Sequence, residues 1–368
     1  MQSDWRTAVT SLGINVLVTA IGGAGNGDQI LKALLEARNT CRPEYLIFGA
    51  DMNWESSNQE LVHQFVKLPE GDSPVYLEEL CRALVANDIR VVFPGSNKEL
   101  VACAAHREVF DDLNVLVPIQ SSELIEMCQD KMAISERLGA LGVSTPRSLI
   151  VRDVGDYFDL DWYPVVVKPR LDRGGSKGVF VVQHANELEA LLGYLNTIEQ
   201  LSGLLIQEYV GIPEEEYTVG VLHDQMGVYV NSIAVRRFLS ESLSVSADVV
   251  NSTERPDLGP RLVISSGISQ GHIGRHRLVT EQCREIATRL GSKGPMNIQC
   301  RLIDGKVSVF EINPRLSGTV SMRAIVGFNE PDLLIRKHIA NEDVGVDRPY
   351  GEAVVLRALT ESVVKMEH

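Results

Sequence analysis

Met296-Asn297-Ile298-Gln299-Cys300-Arg301-Leu302-Ile303-Asp304-Gly305-Lys306-Val307-Ser308-Val309-Phe310-Glu311-Ile312-Asn313-Pro314-Arg315 reads as two short strands around a Gly-containing turn. β-Branched and apolar residues fill both arms, and Pro314 ends the second. Glu311 and Asn313 stand two apart on one strand, so their oxygens point to one face, about 7 Å apart along the chain. A carboxylate and an amide oxygen on one face suit a hard divalent cation, and Arg315 alongside suits a phosphate. A hairpin with a solvated polar edge has the same pattern. The rest of the chain must decide between them.

The chain has 368 residues, enough for two or three compact units with cores of their own. Hydrophobic content of 44% and charged content of 23% are those of a soluble globular protein. Arg, Asp or Glu interrupts every apolar segment before it reaches the length of a membrane span. Met1-Gln2-Ser3-Asp4-Trp5-Arg6 lacks the basic-then-apolar pattern of a signal peptide. Six cysteines without CxxC spacing fit reduced thiols, and the expected location is the cytoplasm. A net charge of -14 argues against a general nucleic-acid binder, whose surface would be basic. No membrane or nucleic-acid partner is expected.

Outward from the hairpin, the chain begins with a buried-strand pattern, Ile14 to Thr19. Gly22-Gly23-Ala24-Gly25-Asn26-Gly27 follows, then a helical pattern from Asp28 to Ala37 and a second strand, Tyr45 to Asp51. This opens a doubly wound α/β unit. The glycines do not keep the G-x-G-x-x-G spacing, since Asp28 stands where the last one is needed, so a nicotinamide site is only weakly suggested. Helices over Tyr76–Ala86 and Glu99–Phe110 alternate with strands over Ile89–Pro94 and Val115–Pro118, which indicates a parallel sheet ending near residue 120. Ser121 caps a helix to about Cys128, and Asp130-Lys131 opens another to about Leu141. Lys131 opposes the dipole of that helix, a conflict that an anionic ligand would remove.

Tyr163 to Arg170 is a strand with its charges at the far end. Leu171-Asp172-Arg173-Gly174-Gly175-Ser176-Lys177-Gly178 and a second strand, Val179 to Gln183, follow. Such a loop can offer backbone N–H groups to a phosphate, helped by Arg173 and Lys177, with Lys168 at the strand end. It is not a Walker A loop, because the spacing differs and a strand follows it. A helix from Ala185 to about Gln200 leads to the strand Leu204–Val210, and another strand begins after Glu214-Glu215-Glu216. A strand over Tyr229–Val235 leads into 240–275, which reads as irregular. His272 and His276 are surface residues, because Gly274 breaks the helix that a metal pair at this spacing would need. Leu278–Leu290 is a helix, as is Pro331–Ala340, and Gly351–Val364 closes the chain with a strand or two.

Asp130-Lys131, Val167-Lys168-Pro169, Gly174-Gly175-Ser176-Lys177-Gly178, Gln207-Glu208-Tyr209-Val210, Glu216 and Gln299…Glu311-Ile312-Asn313-Pro314-Arg315, in this order, resemble the ATP-grasp superfamily. The nearest likeness within it is to carboxylate–amine ligases related to one half of the carbamoyl phosphate synthase large subunit. The resemblance covers about Ile14 to Ala340 and is specific as a set. It implies an α/β fold (α+β in the ATP-grasp part), with an N-terminal Rossmann-like parallel sheet over 1–120 and an ATP-grasp domain over 121–345. Within that domain a lid subdomain spans about 145–207 and a central subdomain about 208–345, and 346–368 is a closing strand segment. It implies ATP and Mg2+ (or Mn2+) as cofactors. Lys131 and Lys168 would contact the phosphates, with Arg173, Gly174, Gly175, Ser176, Lys177 and Gly178 closing over them. Gln207, Glu208, Tyr209 and Val210 form the strand at the adenine edge, where backbone groups of Glu208 and Val210 would read the base. Glu216 would hold the ribose. Gln299, Glu311 and Asn313 would hold the metal, and Arg315 and Lys168 would act on the transferred phosphoryl group. Lys131 departs from the carbamoyl phosphate synthases, which tend to have arginine there. A slightly longer linker before Glu216 lets the ribose role slide to Glu215.

Gln299 can share a metal with Glu311 only under a geometric condition. A strict two-residue turn at Asp304-Gly305 would set Gln299 opposite Phe310, leaving Gln299 and Glu311 on opposite faces. The site therefore requires a loop of odd length, with Gly305 left-handed, or a bulge in one arm.

The implied activity is ATP-dependent ligation: a carboxylate is phosphorylated to an acyl phosphate, which an amine then attacks. The reaction asks for positioning and charge neutralisation rather than a nucleophilic triad. The substrates would be a small carboxylate and an amine, amino acids among them, and a homodimer is compatible with the family. Other readings are a non-catalytic ATP or metabolite sensor on the same fold, a carbamate- or bicarbonate-phosphorylating enzyme, and a nicotinamide-dependent dehydrogenase. Arg236, Arg237 and Arg323 are candidates for a substrate carboxylate, or else ion-pair residues.

Overall fold

The computed structural model describes residues 13–359 apart from 24, 41–43, 57, 153–158, 172–177, 199–202 and 240–242. These residues form two compact units, described separately below.

The first unit holds 13–119 and a later return of the chain, Gly318–Val346. Strands β1 (Ile14–Thr19), β2 (Tyr45–Asp51), β3 (Gln64–Lys67) and β4 (Val91–Phe93) form a parallel sheet in the order β3-β2-β1-β4. Helix α1 (Asn26–Thr40) follows β1, α2 (Tyr76–Ala86) follows β3, and α3 (Asn97–Ala105) and α4 (Arg107–Asp112) follow β4. The helix expected over Glu99–Phe110 is thus two helices, broken at His106. Val115–Pro118 contributes a single bridge, Val91 to Leu116, rather than a strand.

The glycine-rich turn serves close backbone packing. A Cβ on Gly27 would lie 2.2 Å from the carbonyl oxygens of Thr19 and Ala20, and one on Gly95 would lie 2.0 Å from that of Thr19. The Asp51 carboxylate accepts the N–H of Gly22 (2.8 Å) and of Asn53 (3.1 Å). The acidic residue that a dinucleotide ribose would need is committed to the protein's own backbone.

The second unit holds Gln120–Ser317 and Asp347–Ala358. Ser121 caps α5 (Ser122–Gln129) by accepting the Leu124 N–H, and Asp130 caps α6 (Lys131–Ala140) by accepting those of Met132 and Ala133. Strands β5 (Ser148–Val151), β6 (Val165–Pro169), β7 (Phe180–Val182) and β8 (Leu204–Glu208) form an antiparallel sheet in the order β5-β8-β6-β7. α7 (Ala185–Thr197) covers one face, packing Leu188, Leu192 and Leu195 on Val165, Val167 and Ile206. Strands β9 (Glu216–His223) and β10 (Tyr229–Arg237) then begin a larger sheet. The stretch expected to be irregular holds an antiparallel pair, β11 (Val245–Val250) with β12 (Arg261–Ser265), followed by β13 (Gly271–Gly274). Alternation along Val245-Ser246-Ala247-Asp248-Val249 is the strand signal that the surrounding serines and glycines mask. After α8 (Arg277–Arg289) come β14 (Pro295–Ile303) and β15 (Lys306–Asn313). Val219, Val221, Ile298, Val307, Val309 and Ile312 bury one face of this sheet against Val279, Cys283 and Ile286 of α8.

Helices α9 (Val320–Ile325) and α10 (Glu330–His338) lie in the first unit and pack on α1. Ser321 donates to Gln29 (2.6 Å) and Asn329 Nδ2 to the Ala33 carbonyl (2.6 Å). The sequence places 318–345 in the ATP-grasp domain, whereas by packing it belongs with the N-terminal sheet. β16 (Ala353–Val355) completes the six-stranded order β15-β14-β9-β10-β13-β16 of the second unit. The closing residues 360–364 lie outside the described ones.

Arg323, one of the arginines considered for a substrate carboxylate, is fully buried and donates to both oxygens of Glu330 (3.1 and 3.0 Å). Removing one partner leaves an uncompensated buried charge. Arg323→Met is expected to lower unfolding free energy by about 3–5 kcal/mol, read from chemical denaturation. A loss well under 1 kcal/mol would remove this structural role.

Candidate functional site

The hairpin β14–β15 meets the condition that the sequence sets. Asp304 (φ 48°) and Gly305 (φ 76°) make a strict two-residue turn, with Ile303 opposite Lys306. The register then shifts: Cys300 pairs with Val309, but Gln299 pairs with Glu311. Phe310 is the extra residue of a β-bulge. The bulge lets Val307 and Val309 enter the core while Glu311 and Asn313 project to the opposite face, with Ile312 again inward.

On that face three oxygen-bearing side chains meet. Gln299 Nε2 donates to Glu311 Oε1 (3.1 Å), and Asn313 Nδ2 donates to the same oxygen (2.8 Å). Arg315 donates to Asn313 Oδ1 (3.1 Å) and to the Leu316 carbonyl (3.2 Å). One carboxylate and two amides, whose oxygens can replace their nitrogens by rotation of the terminal group, are hard donors that fit a magnesium ion.

Lys168 comes from the neighbouring sheet. Strand alternation puts Val165 and Val167 under α7 and turns Lys168 to the other side. Its ammonium donates to Gln207 Oε1 (2.7 Å) and reaches the Phe310 carbonyl (3.5 Å), with the Phe310 ring centroid 6.0 Å away. Gln207 is itself held, donating to Ser148 (3.0 Å). Burial pushes the Lys168 pKa down to about 8, against the pull of the nearby Glu311 charge and with a further push from Lys131. Lys131 stands at the start of α6, its N–H on the Arg170 carbonyl (3.0 Å). Asp130 stays ionised beside it because Arg170 binds its carboxylate and the helix N–H groups add to the effect.

Glu208 ends β8, and Tyr209 and Val210 begin the segment that links it to β9, termed the hinge below. The Glu208 carboxylate pairs with Arg147 (3.0 Å) and Arg255 (3.8 Å), leaving its backbone as the part that can read a base. Tyr209 is buried with Leu258 and Leu262, and its hydroxyl accepts the Val263 N–H (2.8 Å). Glu216 is buried, with Arg301 at 3.0 Å and Arg237 at 3.4 Å, and its Oε1 has no hydrogen-bond partner. Glu215 is half-buried and accepts the Tyr217 hydroxyl (3.0 Å). Arg237 also donates to the carbonyls of Ser266 and Ile268, and only Arg236 of that pair is exposed. Of the loop 173–178, Gly178 is exposed with φ 69°, while Arg173, Gly174, Gly175, Ser176 and Lys177 lie outside the described residues. His272 and His276 are half-buried rather than surface residues, their rings 4.9 Å apart, and His276 packs on Tyr217. The sequence reading missed Arg301, whose signal is a charged residue on the same strand face as Asn297 and Gln299.

An antiparallel sheet carrying a buried lysine, a linking segment, and a six-stranded sheet ending in a Gln, Glu and Asn cluster define the class: the fold is that of the ATP-grasp proteins, to which the chain is also similar in sequence. Residues 200–360 match the family described as "ATP-grasp in the biosynthetic pathway with Ter operon". Among curated proteins, the chain is similar to the carbamoyl phosphate synthase large chain of Agathobacter rectalis, 23% identical over 261 residues. That match takes in 70% of this chain but spans only 20% of the relative. Among solved structures, N5-carboxyaminoimidazole ribonucleotide synthetase from Thermotoga maritima aligns with a TM-score of 0.61 at 18% identity, covering 95% of this chain and 81% of that one. An L-amino acid ligase from Bacillus licheniformis aligns with a TM-score of 0.57 at 19% identity, covering 88% of this chain and 74% of that one. At such identities these likenesses show the fold. Among the described residues no helix is long and apolar enough to cross a membrane.

Proposed function

We propose that the chain is a magnesium-dependent ligase that uses ATP to phosphorylate a small carboxylate and couples the product to an amine. The observation that carries this reading is the bulged hairpin, which gathers Gln299, Glu311 and Asn313 on one face beside Arg315 and Lys168. Gln299, Glu311 and Asn313 would hold magnesium, which when bound neutralises phosphate charge and polarises phosphoryl oxygens. Lys168 and Lys131 supply fixed positive charge to the phosphate chain. Arg315 stands where a guanidinium can grip the phosphoryl group in transfer. The backbone of Glu208 and Val210 reads the adenine edge, and Glu216 or its neighbour Glu215 holds the ribose. Residues 173–178 would cover the phosphates and keep the acyl phosphate from water.

A carboxylate cannot be attacked directly by an amine, because oxide is an impossible leaving group. Phosphorylation by ATP turns that oxygen into part of a phosphate, which then leaves as the C–N bond forms. The L-amino acid ligase among the structural neighbours makes amino acids the first substrates to try. Release of ADP should rise well above background when the correct carboxylate and amine are supplied together with Mg-ATP, in a screen of amino acids singly and in pairs. If Mg-ATP binds and no pair stimulates release, the ligase reading fails in favour of a sensor on this fold. Release stimulated by bicarbonate alone would instead favour a bicarbonate-phosphorylating enzyme, as the likeness to carbamoyl phosphate synthase allows.

A further inference from the structure

Arg301 spends every donor that it has on the hinge and its surroundings. Nε and one terminal nitrogen donate to Glu216 Oε2 (3.1 and 3.0 Å). The same terminal nitrogen donates to the Val263 carbonyl of β12 (3.0 Å). The other donates to the carbonyls of Val210 and Gly211, both at 3.1 Å. All five N–H groups of a guanidinium are thereby used. Its carbon lies 4.4 Å from the centroid of the Tyr209 ring, and the Tyr209 hydroxyl is in turn bonded to both the N–H and the carbonyl of Val263. One buried side chain on the central sheet therefore fixes three consecutive hinge residues, Tyr209, Val210 and Gly211, and ties them to β12.

We propose that Arg301 is the positioning residue of the nucleotide hinge, fixing the path of Glu208–Val210 so that its backbone meets adenine and not another base. The proposal rests on the reading of Mg-ATP bound at this hinge. Arg301 itself touches no substrate. Its planar fork is the feature that matters, because a Lys ammonium is a point charge that can remain with Glu216 but cannot span carbonyls on both Val210 and Gly211 as well as Val263. A hinge so loosened keeps its sequence and its charge while losing its register against the base. Base discrimination by hydrogen bonds is then the property most exposed to the change.

The test is calorimetric binding of Mg-ATP and Mg-GTP to the full chain, as wild type, as Arg301→Lys, and as Arg301→Gln. The wild type is expected to prefer Mg-ATP. Arg301→Lys should weaken Mg-ATP by about tenfold or more while changing Mg-GTP little, so that the preference collapses. A purely structural arginine would weaken both nucleotides equally, and that outcome, or no change at all, overturns the proposal. Should Arg301→Lys fail to fold, Arg301→Gln, in which Glu216 keeps its pair with Arg237, decides by the same ratio. A wild type that binds no Mg-ATP removes the hinge reading itself, and is recognised before any variant is compared.

Discussion

Glu311→Ala is expected to abolish ADP release, lowering turnover by about 10³-fold or more, while the protein folds and elutes as the wild type does. The size of the effect follows from how many functions meet at this carboxylate. It is the only charged member of the Gln299, Glu311 and Asn313 cluster, and both amides donate to its Oε1. Without it, two neutral amides remain, too weak a set to hold a dehydrated divalent cation. The loss is also felt at Lys168, whose ammonium the Glu311 charge helps to keep protonated against burial. Glu311→Gln separates packing from charge, since it keeps the shape and an acceptor oxygen and should be nearly as inactive. Folding should be spared in both, because Glu311 is only half-buried. Near-normal turnover in either variant at ordinary magnesium would remove Glu311 from the site. Activity restored by raising magnesium severalfold would keep it there as a ligand whose loss others partly cover.

The hairpin also shows how far the sequence could be read and where it stopped. Glu311 and Asn313 could be placed on one face from spacing alone, and the need for an odd loop or a bulge follows from strand geometry. What the geometry left open was which of the two occurs. The answer was present in the parity of the apolar residues. Val307 and Val309 are buried at odd positions and Ile312 at an even one, so the strand must change face between them, at Phe310. A longer turn without a bulge would have turned both valines to the polar side. The helices opened by Ser121 and Asp130 were legible because their caps are local.

Long-range partnerships were not legible. The acidic triplet ending at Glu216 read as a solvated edge, but Glu216 is buried and Arg237 and Arg301 reach it from two other strands. No spacing rule in one sequence announces such a meeting. Arg323 was ambiguous for the same reason, its partner Glu330 standing on the next helix. Residues 318–345 were placed in the ATP-grasp domain by the resemblance, whereas their packing on α1 groups them with the other unit. Local chemistry reads well from a chain. Closure of distant contacts does not.

For Lys168 the expected result is a descending limb in kcat/KM for Mg-ATP, flat through neutral pH and falling about tenfold per unit above about pH 8. The sign follows from the direction of the shift. Burial lowers the pKa of this lysine from 10.5 to about 8, so the ammonium dominates below that value and the neutral amine above it. Only the charged form attracts phosphate. Because kcat/KM reports the free enzyme, its limb lies at the ligand-free pKa. A bound polyphosphate in contact with the ammonium opposes deprotonation, so the limb in kcat must move to higher pH. A lysine that merely supports Gln207 (2.7 Å away) would show no such separation between the two profiles. Lys168→Met should lower kcat/KM by about 10²–10³-fold at pH 7, the loss expected when one preorganised charge is taken from a developing phosphoryl anion. Lys168→Arg keeps a charge that does not titrate in this range, so whatever activity it retains should lose the limb near pH 8. A wild-type profile flat beyond pH 9.5, or a limb that persists unchanged in Lys168→Arg, would show that another group titrates and that this ammonium is not the one the phosphates meet.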